Sequence, residues 1–167
     1  MKNTLIKSKS RGSRQSNAHA AVATVKVIVF EIGSINMALH ITNIYKVLDR
    51  TSIYGRGLNG VGIAHVGDHE VTVVDLHRRL FQSCILDDAS KNGYLMIVKN
   101  SQGELYGIPV AAVPTLMEVP ISNIRVLPES YRHADTFGFA THVAVISELE
   151  PPMTIFLLDI EHLLSVQ

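Results

Sequence analysis

The sequence keeps no helical period over any long stretch; short apolar runs alternate with turn residues along its whole length. That pattern dictates strands, because a period of two buries one face of a ribbon whereas a helix needs apolar residues at three- and four-residue steps. "TVKVIVFEIG" (24–33) is the first such run, with Val25, Val27 and Val29 on one face. "MALHI" (37–41), "VGIAHV" (61–66), "HEVTVVDL" (69–76), "YLMIVKN" (94–100), "FGFATHVAVISEL" (137–149) and "MTIFLLDI" (153–160) continue the series. "TNIYKVLD" (42–49) reads as either a strand or a helical turn, and "RTSIYGRGLNG" (50–60) as a glycine-rich loop. In "LYGIPVAAVPTLMEV" (105–119), Pro109 and Pro114 interrupt the ladder and point to edge or bend positions. "HRRLF" (77–81) and "EHLL" (161–164) are long enough for one helical turn each. About ten short strands with little helix exclude a parallel doubly wound sheet and call for sandwiches or barrels. A similar strand count on each side of the polar connector near 82–93 suggests two β lobes.

The 167 residues suffice for such a fold without staples, since a chain of this length buries roughly 70% of its unfolded surface. Cys84 is the single cysteine, so no internal disulfide forms, as expected of a reducing compartment. The start lacks the apolar run of a secretory signal, and no later run has the length of a membrane span, so a soluble intracellular protein is expected. The formal net charge of zero hides an asymmetry: Lys2, Lys7, Lys9, Arg11 and Arg14 give the first 14 residues +5, leaving −5 for the rest. Residues 1–22 read as a solvated, disordered basic tail; without aromatic residues to stack on bases it is a poor nucleic-acid arm.

The chemistry-bearing residues concentrate in "GIAHVGDHEVTVVDL" (62–76). His65 and His69 on one straight strand would lie roughly 13 Å apart, too far for one ion. A tight turn at Gly67-Asp68 instead pairs His65 with Glu70 and Val66 with His69 as surface neighbours across a hairpin. Zinc wants three convergent ligands, and His77 lies a whole strand away, so no metal is expected. Cys84 has no neighbouring base and reads as a small packed thiol. Gly55, Gly57 and Gly60 spell a G-x-G-x-x-G spacing, but no helix follows to present its N-terminus to a phosphate; a loop is the expectation. Asp75, at the end of a strand before "LHRR", is placed to cap a helical turn. With no catalytic set, no cofactor site and no enzyme activity in view, protein recognition by apolar anchors is the function left.

"FEIGSINMALHITNIYKVL" (30–48) followed by "GIAHVGDHEVTVVDLHRRL" (62–80) resembles the first half of the CheW family, the coupling proteins of bacterial chemotaxis-type signalling. "YGIPVAAVPTLMEVPISNIRVLP" (106–128), "FGFATHVAVI" and "MTIFLLDIEHLL" resemble its second half, in order, so that residues 23–167 form one domain of this kind. The resemblance implies an all-β fold of two five-stranded SH3-like β-barrel subdomains joined through a common apolar core, with few short helices. It implies a non-enzymatic adaptor, without cofactor, cytoplasmic and meeting receptor arrays at the membrane without inserting. Its partners would be the regulatory domain of a CheA-type histidine kinase and the cytoplasmic tip of a methyl-accepting chemoreceptor, not nucleic acid. Ile44 and Val47 match the apolar positions of the family's first receptor-facing element, and Gly107 and Val113 match the glycine and valine of its second. The sequence assigns no residue to the kinase contact. Departures from the family pattern are Gly67-Asp68 for its Arg-Gly hairpin, Thr72 for its proline, Ala111 for its aspartate, and a shorter loop at 50–61. They leave a scaffold with altered partners as the competing expectation.

Overall fold

The computed structural model describes residues 20–49, 51–55, 60–82, 93–132 and 138–165. The tail before residue 20, Cys84, and most of the 82–93 connector lie outside the described residues. Twelve strands are described: β1 Thr24–Ile32, β2 Ile35–His40, β3 Ile44–Asp49, β4 Ile53–Tyr54, β5 Val61–Val66, β6 His69–Val74, β7 Tyr94–Lys99, β8 Leu105–Val110, β9 Thr115–Pro120, β10 Ile124–Val126, β11 Ala140–Ile146 and β12 Met153–Leu158. Three short helices accompany them: α1 Leu76–Phe81, α2 Glu129–Arg132 and α3 Ile160–Ser165.

The strands form two six-stranded sheets, ordered β10-β11-β12-β2-β1-β9 and β3-β7-β8-β6-β5-β4. The sixth member of each is a stub, three residues for β10 and two for β4, added to the five-stranded lobes the family resemblance implies. The lobes do not divide at the 82–93 connector. β7 and β8, beyond it, pair with each other and with β3 and β6, so lobe two is the continuous stretch 44–110. Lobe one is assembled from the two ends of the chain: β12 runs parallel to β2, with Ile155 opposite Asn36.

Burial explains this partition. The apolar side chains sort into three clusters, one inside each lobe and a larger one between them. Val27, Val29, Ala38, Val119, Ala144 and Ile155 fill lobe one. Ala64, Val66, Val71, Val73, Leu95 and Ile97 fill lobe two. The shared cluster draws Phe30, Met37 and Leu39 from one sheet and Val74, Met96, Val98 and Ile108 from the other. β7 therefore buries both faces: Leu95 and Ile97 point into lobe two, Met96 and Val98 into the shared core. A strand covered on both sides has no polar face to alternate with, hence the unbroken "LMIV".

Local chemistry sets several details. Gly67 takes φ +62 at the β5–β6 turn, a conformation that glycine adopts without Cβ strain. The resulting register pairs His65 with Glu70 and Val66 with His69, as the sequence predicts. Pro109 departs from expectation: β8 is a central strand, and Pro109 is buried opposite Leu95. It is tolerated because the β6–β8 ladder ends at Gly107, leaving that side of β8 unpaired two residues later. "Ile-Thr-Asn" (41–43) and "Ile-Ser-Asn" (121–123) each form a 3-10 turn that leads into a strand beginning with isoleucine. This short internal repeat carries the chain from β2 into lobe two in one case and from β9 to the opposite edge of lobe one in the other.

Candidate interaction seam between the lobes

The β5–β6 hairpin carries surface pairs. His65 Nε2 lies 4.0 Å from Glu70 Oε1, and its ring meets Tyr54 edge-on with centroids 5.8 Å apart. Among the described residues, no three His, Cys, Asp or Glu side chains are grouped to hold a metal ion. Gly60 leads directly into strand β5, so no helix N-terminus follows the glycine-rich loop; residues 56–59 of that loop lie outside the described residues. Asp75 has the structural duty the sequence gives it: its carboxylate accepts from Arg78 N at 3.0 Å and caps α1.

Part of the exposed apolar surface lies where the lobes meet; other exposed apolar side chains, among them Tyr54, Ile63, Val126 and Val145, are spread over β4, β5, β10 and β11. On β3 a register shift falls between Ile44 and Lys46, so that Tyr45 is the extra residue of a bulge. Three residues apart on a regular strand, Ile44 and Val47 would face opposite sides; the bulge turns both to the same side. Their cross-strand partners are Val98 and Met96, both members of the shared core. Ile44 is half-buried on that core, Val47 is 38% exposed, and the extruded Tyr45 stands 57% exposed with Lys46 Nζ 5.6 Å from its ring centroid.

Lobe one supplies further apolar residues that border the shared core, which sequence reasoning missed. Leu116 on β9 pairs with Ile28 on β1, and Ile28 pairs in turn with the buried Leu39 of the shared core. Ile28 is half-buried there, and Leu116 is 54% exposed. Val113, 60% exposed, lies in the four-residue crossover between β8 and β9 that joins the lobes. The structure thus puts Ile44 and Val47 on the seam face and Val113 in the crossover beside it. Gly107 is different. It is buried, and a Cβ there would stand 3.0 Å from Leu95 Cδ1 and 3.2 Å from Val73 Cγ2, inside lobe two. Its close backbone packing, not a surface contact, is what the glycine serves. Leu116 carried a signal in the sequence: it lies in a β-rich segment directly after Pro114, on the face opposite the inward Val119.

Polar groups border the seam at its β7–β8 end. The row Ile44–Val98–Tyr106 crosses three strands, and the Tyr106 hydroxyl donates to Glu104 Oε2 at 3.2 Å. Burial, then the neighbouring Glu104 and Glu161 carboxylates, raise the Tyr106 pKa, so the phenol stays neutral across the physiological range. The seam is accordingly an apolar strip with exposed aliphatic rims, bordered at its β7–β8 end by the neutral Tyr106 phenol and the Glu104 carboxylate. Such a strip is suited to an apolar face of another polypeptide.

No curated protein sequence matches this chain. Among solved structures, the fold is similar to that of the scaffolding protein TtCheW from Thermoanaerobacter tengcongensis, with a TM-score of 0.69 at 20% identity, covering 89% of this chain and 93% of that one. The model of the CheW-like domain matches residues 26–167, a span that takes in both lobes and the seam. By that match the chain belongs to the CheW-like family, whose members are non-enzymatic scaffolds.

Proposed function

We propose that this protein is an adaptor that couples a chemoreceptor-like sensor to a CheA-type histidine kinase, in the cytoplasm at receptor arrays. The observation that carries the reading is the seam: Ile28 from one lobe and Ile44 from the other pack on one shared core, with the exposed Leu116 paired to Ile28 and Val47 paired to the core residue Met96. An antiparallel receptor tip is helical, and a helix lays an apolar stripe into a groove of this kind through anchors at three- and four-residue steps. Holding kinase and sensor on one scaffold raises their effective concentration without any chemistry in this chain.

The test uses the purified full chain with the cytoplasmic-tip fragment of a methyl-accepting chemoreceptor and, separately, the kinase regulatory domain. Leu116→Lys and Val113→Lys fall on exposed side chains, so each is expected to shift stability within about 0.5 kcal/mol. Each is expected to weaken receptor-tip binding at least about tenfold, the cost of a lost apolar anchor. Val47→Lys behaves in the same way, whereas Ile44→Lys also costs stability because Ile44 rests on the shared core. Unchanged affinity in all of them, or no binding to either protein, refutes the adaptor reading. A second reading, a scaffold with altered partners, is favoured by the β5–β6 tip, where Gly67 and Asp68 present no cation. Arginine offers a planar fork of donors that neither residue replaces. Under that reading, receptor-tip binding is retained and kinase binding is lost.

A further inference from the structure

The last helix belongs to neither lobe's interior. α3 follows β12 of lobe one, and its root is fixed there: Asp159 N donates to Phe139 O at 3.0 Å. Asp159 Oδ1 accepts from Glu161 N at 2.8 Å and His162 N at 3.3 Å, which starts the helix. The body of the helix is held by lobe two. Arg79 Nη1, on α1, donates to Leu163 O at 2.9 Å, and Ser101 N, in the β7–β8 turn, donates to Glu161 Oε1 at 2.7 Å. The buried Ile160 and Leu163 both enter the shared cluster, and neither lobe's own cluster contains a residue of α3. Arg79 is half-buried beneath the helix, where a cation is favourable against the exposed carbonyls of a helix C-terminus.

We infer that α3 is a latch: joined covalently to lobe one and held by side-chain and backbone contacts to lobe two, it fixes the lobes against each other and thereby sets the spacing of the seam. Ile28 and Ile44, one on each rim, pack on the same cluster that Ile160 and Leu163 close. Releasing α3 loosens that cluster while leaving both lobe interiors filled. The consequence for partner binding rests on the adaptor reading; the latch itself does not.

Arg79→Met keeps the aliphatic stem and removes the donor, and amide hydrogen exchange reads the result on the full chain. Losing a charge-assisted bond is expected to speed exchange in 153–165 and 76–82 by about tenfold or more, with β5, β6 and β11 unchanged. Arg79→Lys, which keeps a cation and a donor, restores part of the protection. Equal acceleration throughout the chain, or none in α3, overturns the latch. A second arm measures binding of the chemoreceptor-tip fragment, which Arg79→Met is expected to weaken several-fold without touching the rims. Accelerated α3 exchange with unaltered affinity overturns the coupling to the seam. If the wild-type chain does not bind the fragment, the adaptor reading falls, and the exchange pattern alone decides the latch.

Discussion

Replacing Gly107 by alanine separates packing from recognition at a position that the family pattern places beside the receptor-facing groove. The new methyl group would meet Leu95 Cδ1 at 3.0 Å, Val73 Cγ2 at 3.2 Å and Leu95 Cγ at 3.4 Å. Carbon atoms prefer about 3.5–4.0 Å, so the first two contacts are compressed and the third is at the edge of ordinary contact. Leu95 is 0% and Val73 1% exposed, and both strands are paired on either side, so the neighbours have little room to give. Overpacking of this size costs about 1–3 kcal/mol. Removing a glycine from a strand interior returns about 0.5–1 kcal/mol of backbone entropy. The net expectation is a loss of about 0.5–2 kcal/mol, or a few degrees in Tm for a chain of this length. Urea denaturation followed by circular dichroism measures it, in a cycle with Leu95→Val. That second change costs about 1 kcal/mol alone and removes the atom in closest contact. The double variant is therefore expected to be more stable than the sum of the single changes predicts, by about 1 kcal/mol. Under the adaptor reading proposed above, receptor-tip affinity per folded molecule is expected to be unchanged. An alanine variant as stable as wild type, or strict additivity with Leu95→Val, refutes the packing argument.

Further outcomes follow from the same geometry. Asp75→Ala removes the cap of α1 and is expected to cost about 0.5–2 kcal/mol in the same denaturation assay. Gly33 sits at φ +63, with the Phe81 ring edge 2.7 Å from where a Cβ would stand. Gly33→Ala is therefore expected to lower Tm, and Phe81→Ala in the same chain to recover the part due to collision, leaving the backbone strain. The Asp159 carboxyl is subject to a burial penalty, its largest single influence, but the backbone and side-chain hydrogen bonds from His162 and Glu161 and the adjacent imidazole together outweigh it and hold the pKa below the ordinary value. A depressed folded-state pKa stabilises above the unfolded value and stops doing so as pH falls through the folded one. The stability gap between wild type and Asp159→Asn is thus expected to be full at neutral pH and to close below about pH 4 in acid titrations. A gap that widens on acidification contradicts the assignment.

What the sequence made legible was local. The β5–β6 hairpin and its register follow from Gly67-Asp68 between two alternating runs, because turn geometry and a period of two fix everything within a few residues. The Asp75 cap is equally local. The features that needed coordinates are those decided by distant partners. No residue near Tyr45 announces its bulge; it arises because Ile44 and Val47 both find the shared core, opposite Val98 and Met96. A strand glycine signals a close approach of some kind, and at Gly107 the approach is to Leu95 and Val73 rather than to a partner. Counting strands on either side of the connector misassigned β7 and β8, since sheet membership follows burial on both faces and not position in the chain. The rim residue Ile28 was hidden for the same reason: it alternates like any core residue, and only pairing shows which cluster it borders.

The split composition of lobe one bears on the order of events at the ribosome. β1 and β2 leave the exit tunnel early, yet the strand that covers β2 is β12, with Asn36 opposite Ile155. At roughly 5–20 residues per second, translation keeps that hairpin without its neighbour for on the order of ten seconds. Lobe two, continuous from 44 to 110, has all its strands in the meantime. Nascent chains are therefore expected to carry a finished central lobe beside an unfinished one, with the apolar face of β1 and β2 open to chaperones until β12 has emerged.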